Sequence, residues 1–220
     1  CVYCQNYQIS QDWKNQELKE TEFHTLAKNM LYLQDELGCH NINLVTPTHY
    51  VPQILKALSL AASRGLTVPL VYNCGGYESL EVIRLLDGIV DIYMPDIKFL
   101  DSRLSGRYCK ADDYPQVVKE VVKEMQKQVG DLTMDAQGVA VRGLLVRHLV
   151  MPSCEKDSKD VLRFIRDEVS ADAFVNVMAQ YHPCHRASLY PEIDSRPSVQ
   201  AHREVIDFGR RIGLSRAGAH

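Results

Sequence analysis

Cys1-Val2-Tyr3-Cys4 sets two thiols three residues apart at the head of the chain. That spacing lets both sulfurs reach one metal ion or one iron–sulfur cluster, and it suits a dithiol–disulfide redox pair equally well. Two sulfurs rarely complete a metal site, so further ligands are expected from upstream, from elsewhere in the fold or from a cofactor. Seven cysteines, at positions 1, 4, 39, 74, 109, 154 and 184, include no second CxxC. An odd count with a single close pair does not resemble a secreted disulfide framework and points to a reducing, cytoplasmic setting. It also weakens a four-cysteine zinc ribbon, whose second pair is absent.

Other reactive groups follow short apolar runs. Thr46-Pro47-Thr48-His49 comes after Ile42–Val45, and Asn73-Cys74-Gly75-Gly76 after the run 67–72. Asp96 and Lys98 follow 89–94, Arg147 and His148 lie in 143–150, and Gln180-Tyr181-His182 follows 174–178. These runs read as strands, with helices between them at about 16–37, 52–65, 78–86, 114–129, 158–169 and 198–212, and helical turns from Asp101. An insertion in this order is expected at 130–138, between a helix and a strand.

Strands alternating with helices imply a parallel sheet, because each strand must be returned to the same end by a crossover. Binding groups in such folds gather at the carboxyl ends of the strands. The expected architecture is α/β, a partial (β/α)6 TIM-like barrel. CxxC precedes the first helix as a strand-to-helix loop does, so the first strand is expected to be missing upstream. Alternation places Asp96 and Lys98 on one face, and Cys74 in its glycine turn is expected to face the mouth. Arg147 interrupts an apolar strand and needs a partner, either a ligand or an acid such as Asp96.

With 220 residues, 45% of them hydrophobic, the chain can form one domain, 1–220. A net charge of −3 gives no electrostatic case for nucleic acid or an acidic membrane surface. The arginines near the end alternate with acids and read as a solvated helix face. No stretch reaches the roughly 18 apolar residues of a membrane span.

Cys1-Val2-Tyr3-Cys4-Gln5-Asn6-Tyr7 resembles the last two cysteines and following residues of the CxxxCxxC loop of the radical S-adenosylmethionine (SAM) superfamily. Asn73-Cys74-Gly75-Gly76, Met94-Pro95-Asp96-Ile97-Lys98, the run from Val146 to Pro152, and Gln180-Tyr181-His182-Pro183 resemble segments of pyruvate formate-lyase activating enzymes. Thr-Pro-Thr-His-Tyr is familiar from the PflX-type branch of that group. The resemblance implies a [4Fe-4S] cluster held by three thiolates, two of them Cys1 and Cys4, with SAM chelating the open iron. The third thiolate belongs four residues upstream of Cys1.

Carried over residue by residue, the resemblance gives Tyr3 an adenine contact, and Asp96, with the Met94 carbonyl, a place beside a monovalent cation near the SAM carboxylate. Lys98 adds positive charge there and Asn73 a polar contact, although the acid expected just before it is Tyr72. Arg147 takes the ribose or carboxylate, and His182 the adenosine end. Thr46 and its neighbours stand where most of the superfamily has Gly-Gly-Glu, which leaves the acceptor for the SAM ammonium unassigned. The implied activity is reductive SAM cleavage to a 5′-deoxyadenosyl radical for hydrogen abstraction. Implied partners are a glycyl radical enzyme or other protein substrate and a reduced flavodoxin-like electron donor. The alternative is a non-catalytic zinc- or iron–sulfur-binding α/β protein, with Cys1 and Cys4 joined by His182, Cys184 or His185.

Overall fold

The computed structural model describes residues 1–15 and 20–219. Six strands run parallel in chain order: β1 (Ile42–Val45), β2 (Leu70–Cys74), β3 (Ile92–Pro95), β5 (Ala140–Leu149), β6 (Phe174–Met178) and β7 (Ala217–Gly218). The short β4 (Thr133–Met134) pairs antiparallel with the start of β5. The architecture is α/β, a partial TIM-like barrel.

Every residue of β2 is buried, as expected of a parallel strand covered on both faces. It pairs in step with β1 (Ile42↔Leu70) and with β3 (Val71↔Ile92). β3 touches β5 through Ile92↔Gly143 and Tyr93↔Leu144, and again through a bridge at Asp96↔Arg147. Gly143 has φ +121°, and an added Cβ there would lie 2.5 Å from the Asp131 carbonyl oxygen. Only glycine lets the hairpin pass so close to the strand.

The crossovers are α3 (Val51–Ala62), α4 (Leu80–Leu85), α5 (Ser102–Cys109) with α6 (Tyr114–Val129), α7 (Glu155–Phe164) and α8 (Val199–Arg211). Ser79 caps α4 by accepting from Val82 N, Asp101 caps α5 through Arg103 N, and Ser198 caps α8 through Ala201 N. The main core joins the sheet to α4, α6, α7 and α8. A separate apolar cluster packs α2 (Phe23–Asp35), the first long helix after the single-turn α1 (Tyr7–Ser10), and α3 against β1 and β2.

Several sequence expectations shift. The first long helix starts at Phe23, not 16, and positions 16–19 lie outside the described residues. The segment 130–138 is the β4–β5 turn rather than a plain insertion. Helix 158–169 begins at Glu155 and ends in a π-helical turn, Ile165–Val169. β7 was not expected, because two residues are too short to show a period.

Candidate functional site

The CxxC loop is seated by packing. Val2 and Tyr3 are buried with Phe99, Met151, Tyr181 and Ile193 of the connecting segments and with Tyr108 of α5 in one apolar cluster. The Tyr3 ring meets Phe99 and Tyr181 edge-on, with centroids 6.3 and 5.9 Å apart. Burial, followed by the neighbouring Cys109, pushes the Tyr3 phenol well above its usual range. Two backbone bonds complete the seat: Val2 N donates to Tyr108 O, and Arg186 N donates to Val2 O, both at 2.8 Å.

Beside the loop lies a cavity of about 290 Å³, lined by Cys1, Tyr3, Cys4, Gln5, Asn6, Asp96, Ile97, Lys98, Arg147, Leu149, Met178 and Gln180. Cys1 is exposed and Cys4 half-buried, and both thiols are free. Across the cavity wall, Asp96 joins two cations. Arg147 Nε donates to Asp96 Oδ1 at 2.9 Å, and Lys98 Nζ to Oδ2 at 3.1 Å. Arg147 Nη2 also donates to Asn73 Oδ1 at 2.7 Å. Burial pulls the Lys98 ammonium down more than any other single influence does. The charge and hydrogen bond of Asp96, joined by the influence of Cys109, outweigh it, so Lys98 ends above its ordinary value.

Within the chain, the partners of Arg147 are Asp96 and Asn73. Each carboxylate oxygen of Asp96 is engaged by a side-chain cation, Arg147 or Lys98. Thr46 is exposed in a left-handed conformation (φ 51°) and lies outside the cavity lining. So does His182, although its Nδ1 stands 3.2 Å from Nε2 of the cavity residue Gln5. Asn73 reaches the site through Arg147.

Two rim expectations fail for one reason. Cys74 is buried in the main core, and His148 is held by Ile97 O (2.7 Å) and Ser158 Oγ (2.9 Å). Alternation turns Asn73 and Arg147 toward the cavity side, and therefore Cys74 and His148 toward the helices. Burial, then the charge of Glu78, pushes the Cys74 thiol well up, and burial lowers His148. Glu78 sits behind the sheet as well. Its Oε1 accepts from Thr48 Oγ1 and its Oε2 from Tyr72 OH, both at 2.9 Å.

No family model matches the chain. The uncharacterized protein MJ0674 of Methanocaldococcus jannaschii is 28% identical over 222 residues, covering 97% of this chain and 60% of that protein. The chain therefore spans about 60% of the length of this curated relative. A domain of pyruvate-formate lyase-activating enzyme from Bacteroides vulgatus superposes with a TM-score of 0.58 at 12% identity, over 81% of this chain and 98% of that one. The two share a fold.

In that fold the expected zinc ligands do not come together. Among the described residues no group of three or more His, Cys, Asp or Glu side chains is placed to hold a metal ion. His182 meets Gln5, and His185 stacks on Tyr7 with centroids 5.0 Å apart. Among the described residues, no helix is long and apolar enough to cross a membrane.

Two residues at the site escaped the sequence reading. Cys109 Sγ lies 3.1 Å from Cys1 Sγ and 3.6 Å from Tyr3 OH, contacts that no local spacing signals. Tyr114, the first residue of α6, binds three backbone groups of the strand ends. Its hydroxyl lies 2.8 Å from Asp96 O and 3.0 Å from Gly75 O, and accepts from Lys98 N at 3.0 Å. Its position at a helix start was the one available hint.

Proposed function

We propose that the chain is the core of a radical SAM enzyme, with Cys1 and Cys4 as cluster ligands and SAM held in the adjacent cavity. The carrying observation is that Cys1, Tyr3, Cys4, Asp96, Lys98 and Arg147 all line one cavity. Its volume is close to the roughly 300 Å³ at which small-molecule pockets begin. The donor chemistry suits a [4Fe-4S] cluster in part, through two free cysteines on one short loop facing that cavity.

Bound there, a cluster and SAM would supply reductive sulfonium cleavage and radical hydrogen abstraction, with Cys1 and Cys4 as the residues that would hold the cluster. The chain's own residues bind and orient. Arg147 and Lys98 share the single negative charge of Asp96, so this part of the wall keeps one net positive charge, complementary to the SAM carboxylate. Ile97, Leu149 and Met178 offer apolar surface to adenosine, while Tyr3 stiffens the loop that carries both thiols. The fold shared with the Bacteroides activating-enzyme domain supports an activase role. In our reading the target is a backbone glycine of a glycyl radical enzyme, and the electron comes from a reduced flavodoxin-like donor.

Full-length protein, including any segment upstream of Cys1 and prepared anaerobically, tests this. About four irons and four sulfides per chain, with dithionite-dependent formation of 5′-deoxyadenosine, support the proposal. One zinc per chain, or unchanged SAM turnover after Cys4→Ala, sinks it.

A further inference from the structure

Cys109 ends α5, and its thiol touches that of Cys1 across 108 positions of sequence. The approach has a backbone cause. Val2 N donates to Tyr108 O, which ties the residue after Cys1 to the residue before Cys109. Val2, Tyr3 and Tyr108 are buried in one apolar cluster, so parting the two segments would expose aromatic surface. Both thiols are free, Cys1 exposed and Cys109 half-buried. Their sulfurs need close by only about 1 Å to reach the length of a disulfide bond. Cys4 is turned to a different partner, Ser10 Oγ at 3.2 Å.

We propose that Cys1 and Cys109 form a reversible disulfide when the CxxC loop carries no metal, and that the bond withholds Cys1 from metal binding. The second half of this statement rests on the reading of Cys1 as a cluster ligand. The oxidant is a low-molecular-weight disulfide. The Cys1 thiolate attacks one of its sulfurs, breaks the S–S bond and releases one thiol, leaving a mixed disulfide on Cys1. The Cys109 thiolate then attacks the Cys1 sulfur and releases the second thiol. The protein thiols lose two protons, and their two electrons pass to the reagent.

Metal-free full-length protein, including any segment upstream of Cys1, treated with oxidised glutathione and digested without reductant should yield a linked peptide holding Cys1 and Cys109. That peptide should be absent from Cys109→Ser. Iron uptake on reconstitution should be lost in the oxidised protein and return with dithiothreitol, whereas reduced Cys109→Ser should still load iron and, after oxidant, should hold Cys1 as the unresolved mixed disulfide. A bridge from Cys1 to Cys4, or an unlinked Cys109, overturns the proposal. Loss of iron from reduced Cys109→Ser also overturns it, because Cys109 would then be a ligand. If the linked peptide forms but the reduced protein takes up no iron, the disulfide stands and the reading of the site falls.

Discussion

Asp96 holds the charge balance of the cavity wall, because both Arg147 and Lys98 depend on its carboxylate. Its side chain is 23% exposed, so the pairs are shielded from water only in part. Removing the acid leaves two neighbouring cations without a counter-charge. We expect Asp96→Asn to destabilise the fold by about 1–3 kcal/mol in urea unfolding, below the ~3–5 kcal/mol for breaking a fully buried pair. The Lys98 ammonium should lose its raised pKa in the same variant, measurable by NMR titration. An unchanged Lys98 titration would show that Asp96 does not set its charge. Part of this pairing was legible in the sequence, since a strand period of two puts 96 and 98 on one face and an arginine inside an apolar strand needs a partner, for which an acid such as Asp96 was one of the two readings. The third member, Asn73, was legible as a polar strand end but not as an arginine partner, because β2 and β5 meet only through β3.

At the scale of elements, the turns after β2 and β3 are locked to one another by α6. Gly76 has φ +76°, and a Cβ there would stand 2.4 Å from Asp96 O and 2.9 Å from Val118 Cγ2. Gly76→Ala should therefore cost about 1–3 kcal/mol of stability, from overpacking against backbone and from the left-handed conformation. Tyr114→Phe keeps the ring and deletes the hydroxyl that Lys98 N and the carbonyls of Gly75 and Asp96 share. Leaving these part-buried groups short of a partner should cost about 1 kcal/mol, at the low end of the range for buried ones. If Tyr114 also positions the Asp96–Lys98 turn, SAM affinity measured by calorimetry should fall in the Phe variant at temperatures where both proteins are fully folded. Equal affinities would confine Tyr114 to a structural role. The helices and longer strands were readable from their hydrophobic period, whereas the capping role of Ser198 before α8 shows only in the structure. The clamp was not, because a tyrosine at a helix start looks like any other core aromatic. The acid absent before Asn73 followed the same logic: Tyr72 occupies that position and binds Glu78 behind the sheet, away from the cavity.

Across the whole molecule, the strand-end loops are tied to one another as well as to the sheet, and Asp157 is one such tie. It belongs to α7, which follows β5, yet it accepts from Leu100 N (3.1 Å) and Asp101 N (2.7 Å) in the connection after β3. Burial pushes its carboxyl up to about 6, against the opposing effect of those two N–H donors. A raised carboxyl means that the native state binds a proton more tightly than the unfolded chain does. Its contribution to stability is therefore fullest below the ordinary aspartate range, declines as pH rises, and is gone above about 6. Asp157→Asn retains an oxygen acceptor for both N–H groups and removes the titration. The melting temperature of the variant relative to the wild type should rise between pH 4 and pH 7 and then level off, and comparing the two proteins cancels carboxylates that titrate alike in both. A difference that stays flat over that range would mean that Asp157 keeps an ordinary pKa. In that case the link between α7 and the β3 loop would be held without the cost of a buried charge.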